Sequence, residues 1–597
     1  MCGIVGYTGL KTAYPLLLEA LERLEYRGYD SCGIAISNST GVALLKQFGF
    51  VENLKSMPPI EEGVSGIGHT RWATVGSPTE ENAHPHVDCN GQIAIVHNGD
   101  ITNYLSLREN LIGQGHIVSS DTDSEVIVHL IENYAAEGQM GSVVRALKDL
   151  EGSYALVVLF ADSDLLIAAR MGSPLVIGLS PTENFVASDV PAIIEFTDQV
   201  LYLEDGDVAT VTPNEVKVFQ NGDSITRTVH HVSKQPEERG LAGYEHYFLK
   251  EIHQQPKMIR DSLAGHMSSI DPSVTLGLES MNGGKFDQIF IAGCGSAYHA
   301  SLIGEHFLSD LGSVNTSARI ASEISHMRPG DKSHLGIFVT QSGETADTLH
   351  AARLAHEAGY STLGLTNTHN SSISRITDQT IYTEAGLEIS VAASKTFTSQ
   401  LIDLFLIGLH LFPPPINRLH DLMTELRLLP SKAQQVLGLQ PQLDSIGKKL
   451  APHTSAYLVA KGINYPVALE ASLKLKELAY LHAEALVAGE LKHGPLALLT
   501  HETPVIVLAP KDDTYPRVLQ AIREMRARGA PTIVFTDSHD EYLASIVDDI
   551  VYLPTTEPHF FPILATIALQ LVAYNCARAK SLSIDRPRNL AKSVTVF

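Results

Sequence analysis

The residue best suited to nucleophilic chemistry is Cys2, which directly follows the initiator methionine and precedes Gly3. Removal of Met1 leaves an α-amine and a thiol on the same residue. Such an amine has an unperturbed pKa of about 7.7–8.0, so it can act as a general base at neutral pH. A nucleophile at this position carries its own base, and the sequence therefore predicts a mature chain that begins at Cys2.

A second chemically informative segment is TQSGETADT, residues 340–348, which follows the apolar run LGIFV and opens a helical pattern. Hydroxyl groups, backbone N–H groups and a helix N-terminus together form an anion site, here suited to a phosphate. The loop has no Walker lysine, so nucleotide hydrolysis is not expected. GCGSAY, residues 293–298, lacks the third glycine of a dinucleotide fingerprint.

Metal and cofactor chemistry is not predicted. HAE ahead of ELKHG lacks the P-C-x-x-C that accompanies it in zinc deaminases. The odd number of cysteines, with no C-x-x-C pair, indicates neither a disulfide framework nor a zinc site and is typical of a reducing compartment. The five cysteines are Cys2, Cys32, Cys89, Cys294 and Cys576.

Six motifs near the N-terminus occur in a characteristic order: MCGIVGY, LEYRGYDSCGIA, GHTRWATVGSP, NAHPH, IVHNGDITNY and SSDTDSEVIVH. By these motifs the chain resembles class II glutamine amidotransferases, the N-terminal-nucleophile glutaminases, over about its first 220 residues. The resemblance implies that Cys2 attacks the side-chain amide of glutamine and that a thioester forms as ammonia leaves.

The resemblance also assigns roles to six further residues: Asn98 and Gly99 form the oxyanion hole, Arg71, Thr74 and Asp123 bind glutamine, and Trp72 gates an ammonia channel. These roles make chemical sense. Arg71 can pair with a carboxylate in bidentate fashion, and Asp123 can accept the substrate ammonium. Asp123 also suits an N-cap ahead of SEVIVHL, and the two roles are compatible. Val75 stands where the family usually has histidine, which puts one hydrogen bond to the ligand in question.

The C-terminal half contains an internal repeat. FDQIFIAGCGSAYHASLIGEHFL and TSAYLVAKGINYPVALEASLKLKEL both read as strand, turn and helix, and three further strand–helix units follow each in matching order. Strands that alternate with helices at this spacing predict a parallel sheet with helices on both faces. The repeat resembles a pair of sugar isomerase (SIS) domains.

Taken together, these resemblances run nearly from end to end and point to the family of isomerizing glutamine–fructose-6-phosphate aminotransferases. The motifs VAASKTFT, ELKHGPLAL and the tail RPRNLAKSVTV belong to the match. Other glutaminase fusions fit badly, since neither an SGGxDS-type loop nor an acidic diphosphoribosyl loop is found. The implied substrates are glutamine and fructose 6-phosphate, and the implied products are glutamate and glucosamine 6-phosphate, an amino-sugar precursor.

The family resemblance names four catalytic residues in this half: Lys592, which forms a Schiff base with the open-chain sugar, Glu477, which moves a proton between C1 and C2, His493, which opens the ring, and Lys474. An amine forms an imine only when it is unprotonated, so burial should lower the pKa of Lys592. Lys474 lies three residues before Glu477 on one helical face, where it can stabilise developing charge or pair with the glutamate.

Four residues match the family's sugar-phosphate contacts: Ser296, Gln341, Ser342 and Thr345. Ala297 and Ala393 replace hydroxyl residues that are common in the family, so individual contacts to sugar or phosphate are in question. In the second repeat, APKDDT at residues 509–514 stands where TQSGET stands in the first. Two carboxylates oppose a phosphate dianion, so the sequence predicts one phosphate site per chain, in the first repeat.

Composition limits the partners of this 597-residue chain. Its net charge of −24 makes nucleic acid and anionic membrane surfaces poor partners. The longest apolar stretch, residues 560–574, is interrupted by Pro562 and Gln570 and falls short of the roughly 20 residues that a membrane span needs. The start of the chain has no signal-peptide pattern. We therefore expect a cytoplasmic protein that binds small molecules and, from the family resemblance, forms a homodimer.

The predicted architecture is α/β and α+β multidomain: an N-terminal-nucleophile αββα sandwich followed by two tandem, doubly wound parallel-sheet SIS domains. The predicted boundaries are 2–218 for the glutaminase domain, 219–277 for a linker and lead-in helix, 278–417 and 447–590 for the SIS domains, and 591–597 for the tail that carries Lys592.

Two other functions stay open. A paralogue that aminates a different keto-sugar phosphate would explain Val75, Ala297 and Ala393. A non-catalytic sugar-phosphate sensor is the third possibility, but a sensor has no need of Glu477, His493 and Lys592.

Overall fold

The computed structural model describes residues 2–39, 41–60, 63–161, 163–232, 240–267, 272–278, 281, 286–312 and 314–595. The chain forms two compact units. The first comprises Met1–Pro236 and Ala591–Phe597, and the second comprises Glu237–Leu590.

Two antiparallel sheets form the centre of the first unit. The strand order is β15-β11-β9-β10-β1-β4-β2-β3 in the first sheet and β14-β13-β12-β8-β7-β6-β5 in the second. The strands are β1 (Gly3–Thr8), β2 (Ser31–Asn38), β3 (Gly41–Phe48), β4 (Ser65–Arg71), β5 (His86–Val87), β6 (Ile93–Ile101), β7 (Gly152–Phe160), β8 (Leu166–Met171), β9 (Val176–Leu179), β10 (Asn184–Ala187), β11 (Gln199–Tyr202), β12 (Asp207–Val211), β13 (Val216–Gln220), β14 (Asp223–Ile225) and β15 (Val229–His231).

Helices cover both outer faces of this pair of sheets. They are α1 (Ala13–Leu24), α2 (Val51–Lys55), α3 (Tyr104–Gly113), α4 (Glu125–Asn133) and α5 (Gly138–Leu147). Three apolar layers result: α1 packs on the first sheet, the sheets pack on each other, and α4 and α5 pack on the second sheet. Strand β7 is buried on both faces, which explains its continuous apolar run YALVVLF. This is the predicted αββα sandwich.

Two short strands lie inside the stretch that the sequence predicts to be a linker. β14 pairs with β13 and β15 pairs with β11, so each extends the edge of a sheet. Backbone hydrogen bonds to an existing edge form these strands, and their polar side chains gave no sign of them.

The second unit contains two parallel five-stranded sheets with the same order, β17-β16-β18-β19-β20 and β22-β21-β23-β24-β25. Their strands are β16 (Gln288–Gly293), β17 (Asn315–Ile320), β18 (His334–Thr340), β19 (Ser361–Thr366), β20 (Gln379–Tyr382), β21 (Ser455–Ala460), β22 (His482–Val487), β23 (Val505–Leu508), β24 (Thr532–Thr536) and β25 (Asp549–Tyr552). The shared order establishes the predicted tandem doubly wound domains.

Eleven helices of the described residues pack around these sheets. They are α6 (Tyr247–His266), α7 (Ser296–Gly312), α8 (Ala346–Glu357), α9 (Ser372–Ile376), α10 (Lys395–Leu411), α11 (Ile416–Leu437), α12 (Gln440–Leu450), α13 (Tyr465–Ala479), α14 (Tyr515–Arg526), α15 (Glu541–Ile546) and α16 (Phe561–Ala579).

Helix α16 corrects one prediction from sequence. Pro562 and Gln570 do not interrupt it, because Pro562 lies in the first turn, where its missing N–H costs nothing, and the Gln570 amide is buried and bonded to Gln255. The segment Pro558–Ala579 is 22 residues long with a mean hydropathy of 1.6, which is enough by length and composition to cross a membrane, but it is fully buried inside the protein. It therefore has the character of a core helix.

Candidate active sites

Cys2 is positioned by the start of strand β1. Gly3 pairs with Thr70 of β4, and a Cβ atom on Gly3 would lie 2.6 Å from Thr70 Oγ1 and 2.8 Å from Leu24 Cβ. Only glycine fits there, so β1 approaches β4 closely and brings Cys2 to the end of that strand. The Cys2 Sγ lies 3.4 Å from the Trp72 N–H nitrogen and 3.5 Å from the Trp72 carbonyl oxygen.

Asn98, near the end of β6, points its amide at Cys2. Asn98 Nδ2 donates to the Cys2 carbonyl at 3.0 Å, and Asn98 Oδ1 accepts from His69 Nε2 at 3.0 Å. His69 Nε2 also lies 3.1 Å from the His97 carbonyl, so this nitrogen carries the proton. Burial lowers the pKa of the His69 ring to about 3, which keeps the ring neutral. His69 thus fixes the orientation of the Asn98 amide, with Oδ1 toward His69 and Nδ2 toward Cys2.

Gly99 provides the backbone next to that amide. Its φ is +144°, and a Cβ atom would lie 2.0 Å from the Ser153 carbonyl oxygen on the neighbouring strand β7. A side chain cannot be accommodated. This position of strand β6 therefore requires glycine. Gly99 directly follows Asn98, and its role in the oxyanion hole stays a prediction.

Arg71 and Asp123 lie in the same region. Burial lowers the pKa of the Arg71 guanidinium, while the charges of Cys2, Asp30 and Asp123 raise it, so all three lie within its electrostatic reach. The guanidinium donates to the carbonyl of Val75 at 2.5 Å and to that of Gly76 at 3.1 Å. Val75 contacts Arg71 through its backbone carbonyl, so this hydrogen bond does not depend on which side chain stands at position 75.

The predicted N-cap role of Asp123 is wrong. Helix α4 begins at Glu125, its N-cap residue is Ser124, and the Ser124 side chain forms no capping bond. Asp123 Oδ2 instead accepts from the Ile101 N–H at 2.9 Å, because the loop folds back on the end of β6. Thr74 is exposed beside this region.

Two further residues of the motif LEYRGYDSCGIA, Arg27 and Asp30, contact this site and were not predicted from the sequence. Arg27 is 2% exposed, donates to the Cys2 carbonyl at 3.3 Å and forms an ion pair with Asp189 at 2.7 Å. Asp30 accepts from the Ala73 N–H at 2.8 Å. Both residues bond to the backbone around the nucleophile. Their presence in a motif of the glutaminase match is the feature of the sequence that could have indicated them.

Replacing Asn98 with alanine should lower kcat for glutamine hydrolysis by about 10²–10³-fold, because one of two oxyanion donors is lost. KM for glutamine should change little, since Arg71 and Asp123 remain. Steady-state glutaminase kinetics will measure both constants. Asn110→Ala, on the exposed face of α3, is the matched control, and an equal loss there would contradict the assignment.

In the second unit, the sheet order places the predicted phosphate residues together. Strands β16 and β18 are parallel neighbours, and their following connections leave to β17 on one side and β19 on the other. Ligands of such sheets bind at this switch point, outside the carboxyl ends of the strands. Ser296 follows β16, and Gln341, Ser342 and Thr345 follow β18.

Hydroxyl groups bond within the loop after β18. Thr340 Oγ1 accepts from the Gly343 N–H at 3.2 Å and lies 3.2 Å from Thr345 Oγ1, which belongs to the N-cap residue of α8. Gly343 has a φ of +69°, and a Cβ atom there would lie 2.1 Å from Ser371 Oγ. The loop thus gathers hydroxyl groups and N–H groups at the start of α8, as predicted.

Lys474 joins the two repeats through a network centred on Glu470. Lys474 Nζ lies 2.5 Å from Glu477 Oε2, 3.4 Å from Glu470 Oε1 and 3.4 Å from Ser296 Oγ. Glu470 also accepts from Ser296 Oγ at 2.9 Å and pairs with His299 Nδ1 at 2.8 Å. Helix α13 of the second repeat therefore contacts the start of helix α7 of the first.

This network settles the charge of Lys474. Burial alone would lower its pKa, but the carboxylates of Glu470 and Glu477 outweigh burial and raise it above the ordinary value. Lys474 holds the pKa of Glu470 below its ordinary value in return. Lys474 is therefore a fixed ammonium beside Glu477, and Glu470 is the residue that sequence reasoning missed, although it lies in the quoted segment YPVALEASLKLKEL.

One predicted catalytic residue, His493, is not brought into this network. His493 is exposed on a short 3₁₀ turn, Glu490–His493, and within the described residues no hydrogen bond or ion pair joins it to Lys474 or Glu477. Lys592 is half-buried and belongs to the Ala591–Phe597 segment of the first unit. Ala393 and Ala297 lie near the starts of α10 and α7.

The matching loop of the second repeat satisfies its donors internally. Asp512 Oδ1 accepts from the Thr514 N–H at 2.8 Å and from Thr514 Oγ1 at 2.6 Å, and Asp537 accepts from the Lys511 N–H at 2.7 Å. Carboxylates thus take the donors that would otherwise face a phosphate.

Comparison with known proteins agrees with this architecture. The glutamine amidotransferase domain family matches residues 59–236, and the SIS domain family matches residues 285–407 and 449–579. The C-terminal domain of glucosamine-fructose-6-phosphate aminotransferase from Francisella tularensis superposes with a TM-score of 0.55 and 31% identity, over 58% of this chain and 100% of that one. The fold and the sites define a glutamine amidotransferase joined to tandem SIS domains.

Full-length relatives narrow the class further. The glutamine–fructose-6-phosphate aminotransferases (isomerizing) of Chlorobaculum tepidum and Halobacterium salinarum are each 42% identical to this chain, over 100% of both sequences. The chain belongs to the family of isomerizing glutamine–fructose-6-phosphate aminotransferases.

Proposed function

We propose that this protein transfers ammonia from glutamine to fructose 6-phosphate and isomerises the product to glucosamine 6-phosphate, with release of glutamate. The observation that supports it best is the Glu470 network, which joins Ser296 at the predicted phosphate site to Lys474 and Glu477. A glutaminase whose acceptor was not a sugar phosphate would have no use for a proton-transfer carboxylate beside a sugar-phosphate loop.

In the first half-reaction, the α-amine of Cys2 accepts the thiol proton and Sγ attacks the amide carbon of glutamine. The Asn98 amide and the Gly99 N–H stabilise the oxyanion. The proton passes to the leaving nitrogen, ammonia departs, and water hydrolyses the thioester to glutamate. Arg71 and Asp123 bind the carboxylate and ammonium of the substrate, with Thr74 beside them, and Trp72 gates the path of ammonia.

In the second half-reaction, His493 assists ring opening and unprotonated Lys592 forms an imine with C2 of the open-chain sugar. Ammonia adds to that carbon and displaces the lysine, which leaves a sugar imine. Glu477 then takes a proton from C1 and returns it to C2, which yields the 2-amino aldose. The Lys474 ammonium, fixed beside Glu477, stabilises the negative charge that develops on the C1 oxygen.

Ser342→Ala and Thr345→Ala should each raise KM for fructose 6-phosphate several-fold, about tenfold for a lost charge-assisted hydrogen bond, and leave kcat nearly unchanged. The reason is that the phosphate binds only at the first repeat. Thr514→Ala, at the matching point of the second repeat, is the control and should leave KM unchanged. A ligand-bound structure with sugar phosphate seated on residues 511–514 would contradict this division.

Product analysis tests the whole proposal. The full-length protein is mixed with amide-¹⁵N-labelled glutamine and fructose 6-phosphate, and the products are separated by mass spectrometry. Labelled glucosamine 6-phosphate with one equivalent of glutamate is the expected result. Amination of another keto-sugar phosphate in preference would indicate the paralogue, and sugar-phosphate binding without any amination would indicate the sensor.

We propose a cytoplasmic homodimer without a cofactor on the family resemblance alone.

A further inference from the structure

Four potential metal ligands converge in the glutaminase unit, and none of them is assigned to glutamine. They are Cys89, His116, His129 and Glu132, here called the Cys89 cluster. Cys89 follows strand β5, His116 follows helix α3, and the other two lie three residues apart on α4. One ligand atom from each residue lies within 4.8 Å of all the others.

The distances within the Cys89 cluster approach those of a tetrahedral site. A zinc ion with bonds of about 2.3 Å to sulfur and about 2.05 Å to nitrogen separates the two ligand atoms by about 3.6 Å. Cys89 Sγ lies 3.6 Å from His129 Nδ1 and 3.7 Å from His116 Nδ1. Glu132 Oε2 lies 2.9 Å from His116 Nδ1 and 3.1 Å from His129 Nδ1. These two distances are a few tenths of an ångström shorter than a shared ion requires.

Surrounding groups orient the thiol and the carboxylate as outer contacts do in metal sites. His129 Nε2 has no hydrogen-bond partner, and the nearest carboxylate oxygen, Glu125 Oε1, lies 3.8 Å away. The Ile117 N–H donates to Cys89 Sγ at 3.4 Å, and Asn90 Nδ2 donates to Glu132 Oε1 at 3.0 Å. The thiolate and the carboxylate of the cluster are thereby held toward the two imidazoles.

We propose that the Cys89 cluster binds one Zn²⁺ ion. The ligand set of one thiolate, two imidazoles and one carboxylate suits zinc, whereas Ca²⁺ and Mg²⁺ prefer oxygen alone. Binding releases the thiol proton of Cys89, and the two anionic ligands then balance the charge of the ion. Cys89 is exposed, which gives the metal a path of entry. The ion would tie the ends of β5 and α3 to α4, so its role is structural.

The sequence expectation of no zinc site rested on the absence of paired cysteines. That criterion cannot detect the Cys89 cluster, because its ligands come from three segments and only the tertiary fold brings them together. The competing interpretation is a hydrogen-bonded group without metal, in which Glu132 pairs with both histidines. The two interpretations differ in whether a thiolate–metal bond forms.

Cobalt substitution distinguishes them. Full-length protein is stripped with a chelator and titrated with Co²⁺, whose tetrahedral absorption and thiolate charge-transfer band report the ligands. We expect one Co²⁺ per chain, displaced by Zn²⁺. Cys89→Ala should lose the band, and His116→Ala should weaken binding at least about tenfold. Cys2→Ala and Cys294→Ala should keep the band, since neither residue belongs to the cluster.

Absence of the band from the wild-type protein would overturn the proposal, and so would a band lost in Cys2→Ala but kept in Cys89→Ala. X-ray absorption at the zinc edge on the wild-type protein gives a test without variants: one sulfur and three nitrogen or oxygen ligands are expected, and a shell without sulfur would also overturn it. Neither readout depends on the aminotransferase reaction.

Discussion

Cys2→Ala is expected to lower glutamine hydrolysis by at least about 10⁴-fold, because the thiol proposed to attack the amide is removed. None of the groups assigned to the sugar phosphate is changed by this substitution, so isomerisation of fructose 6-phosphate should stay measurable. Coupled assays for glutamate release and for hexose-phosphate interconversion measure the two activities on the same preparation. Intact mass should also show that the mature chain lacks Met1.

The matched control for this variant is Cys294→Ala, which removes a half-buried thiol of the other unit. It should keep glutaminase activity. An electrophilic glutamine analogue should label the wild-type protein at Cys2 alone, and labelling at Cys32, Cys89, Cys294 or Cys576 would contradict the nucleophile assignment. Loss of isomerisation together with hydrolysis would indicate instead that Cys2→Ala disturbs the fold.

Glu477→Gln should lower synthase kcat by about 10²–10⁴-fold, the usual contribution of a positioned general base. KM for fructose 6-phosphate should change little. The fold should survive, because the buried Lys474 ammonium keeps Glu470 as a second carboxylate partner at 3.4 Å. Proton exchange at C1 of the sugar in deuterated water, followed by NMR, measures the step directly.

A control separates the chemical role of Glu477 from its ion pair. Glu484→Gln removes a carboxylate from strand β22, seven residues further along the chain, and should leave the exchange rate unchanged. If Glu477→Gln exchanged the C1 proton as fast as the wild type, Glu477 would be a partner of Lys474 only, and another base would have to be found.

Local motifs allowed much of this molecule to be predicted from its sequence. Cys2, Asn98 and Gly99 sit in short segments whose order identified the glutaminase, and the strand–helix alternation gave both parallel sheets. What the sequence did not reveal depends on tertiary contacts. In the sequence, Glu470 cannot be distinguished from other charged residues of a helix. Its contact with Ser296 exists only because α7 packs against α13.

Two further differences have the same physical origin. Gln570 was interpreted as a break in an apolar stretch, but a buried amide with a partner, here Gln255, is compatible with a continuous core helix. The ligands of the Cys89 cluster are separated by up to 43 residues along the chain, so no spacing rule could have grouped them. Sequence patterns report neighbours along the chain, and these features join residues far apart in it.

The apolar core of the second unit passes without interruption from one repeat to the other. One cluster of buried side chains includes Ile337 of the first sheet, Ile506 of the second and, between them, the residues of helix α16. The repeats should therefore unfold together, in a single calorimetric transition, although the sequence presents them as two copies. A fragment that ended before Phe561 would leave both sheets without that helix, and α16 on its own would meet water along a surface apolar enough to aggregate. The two repeats are separate in sequence, but we expect their shared core to make them one cooperative folding unit.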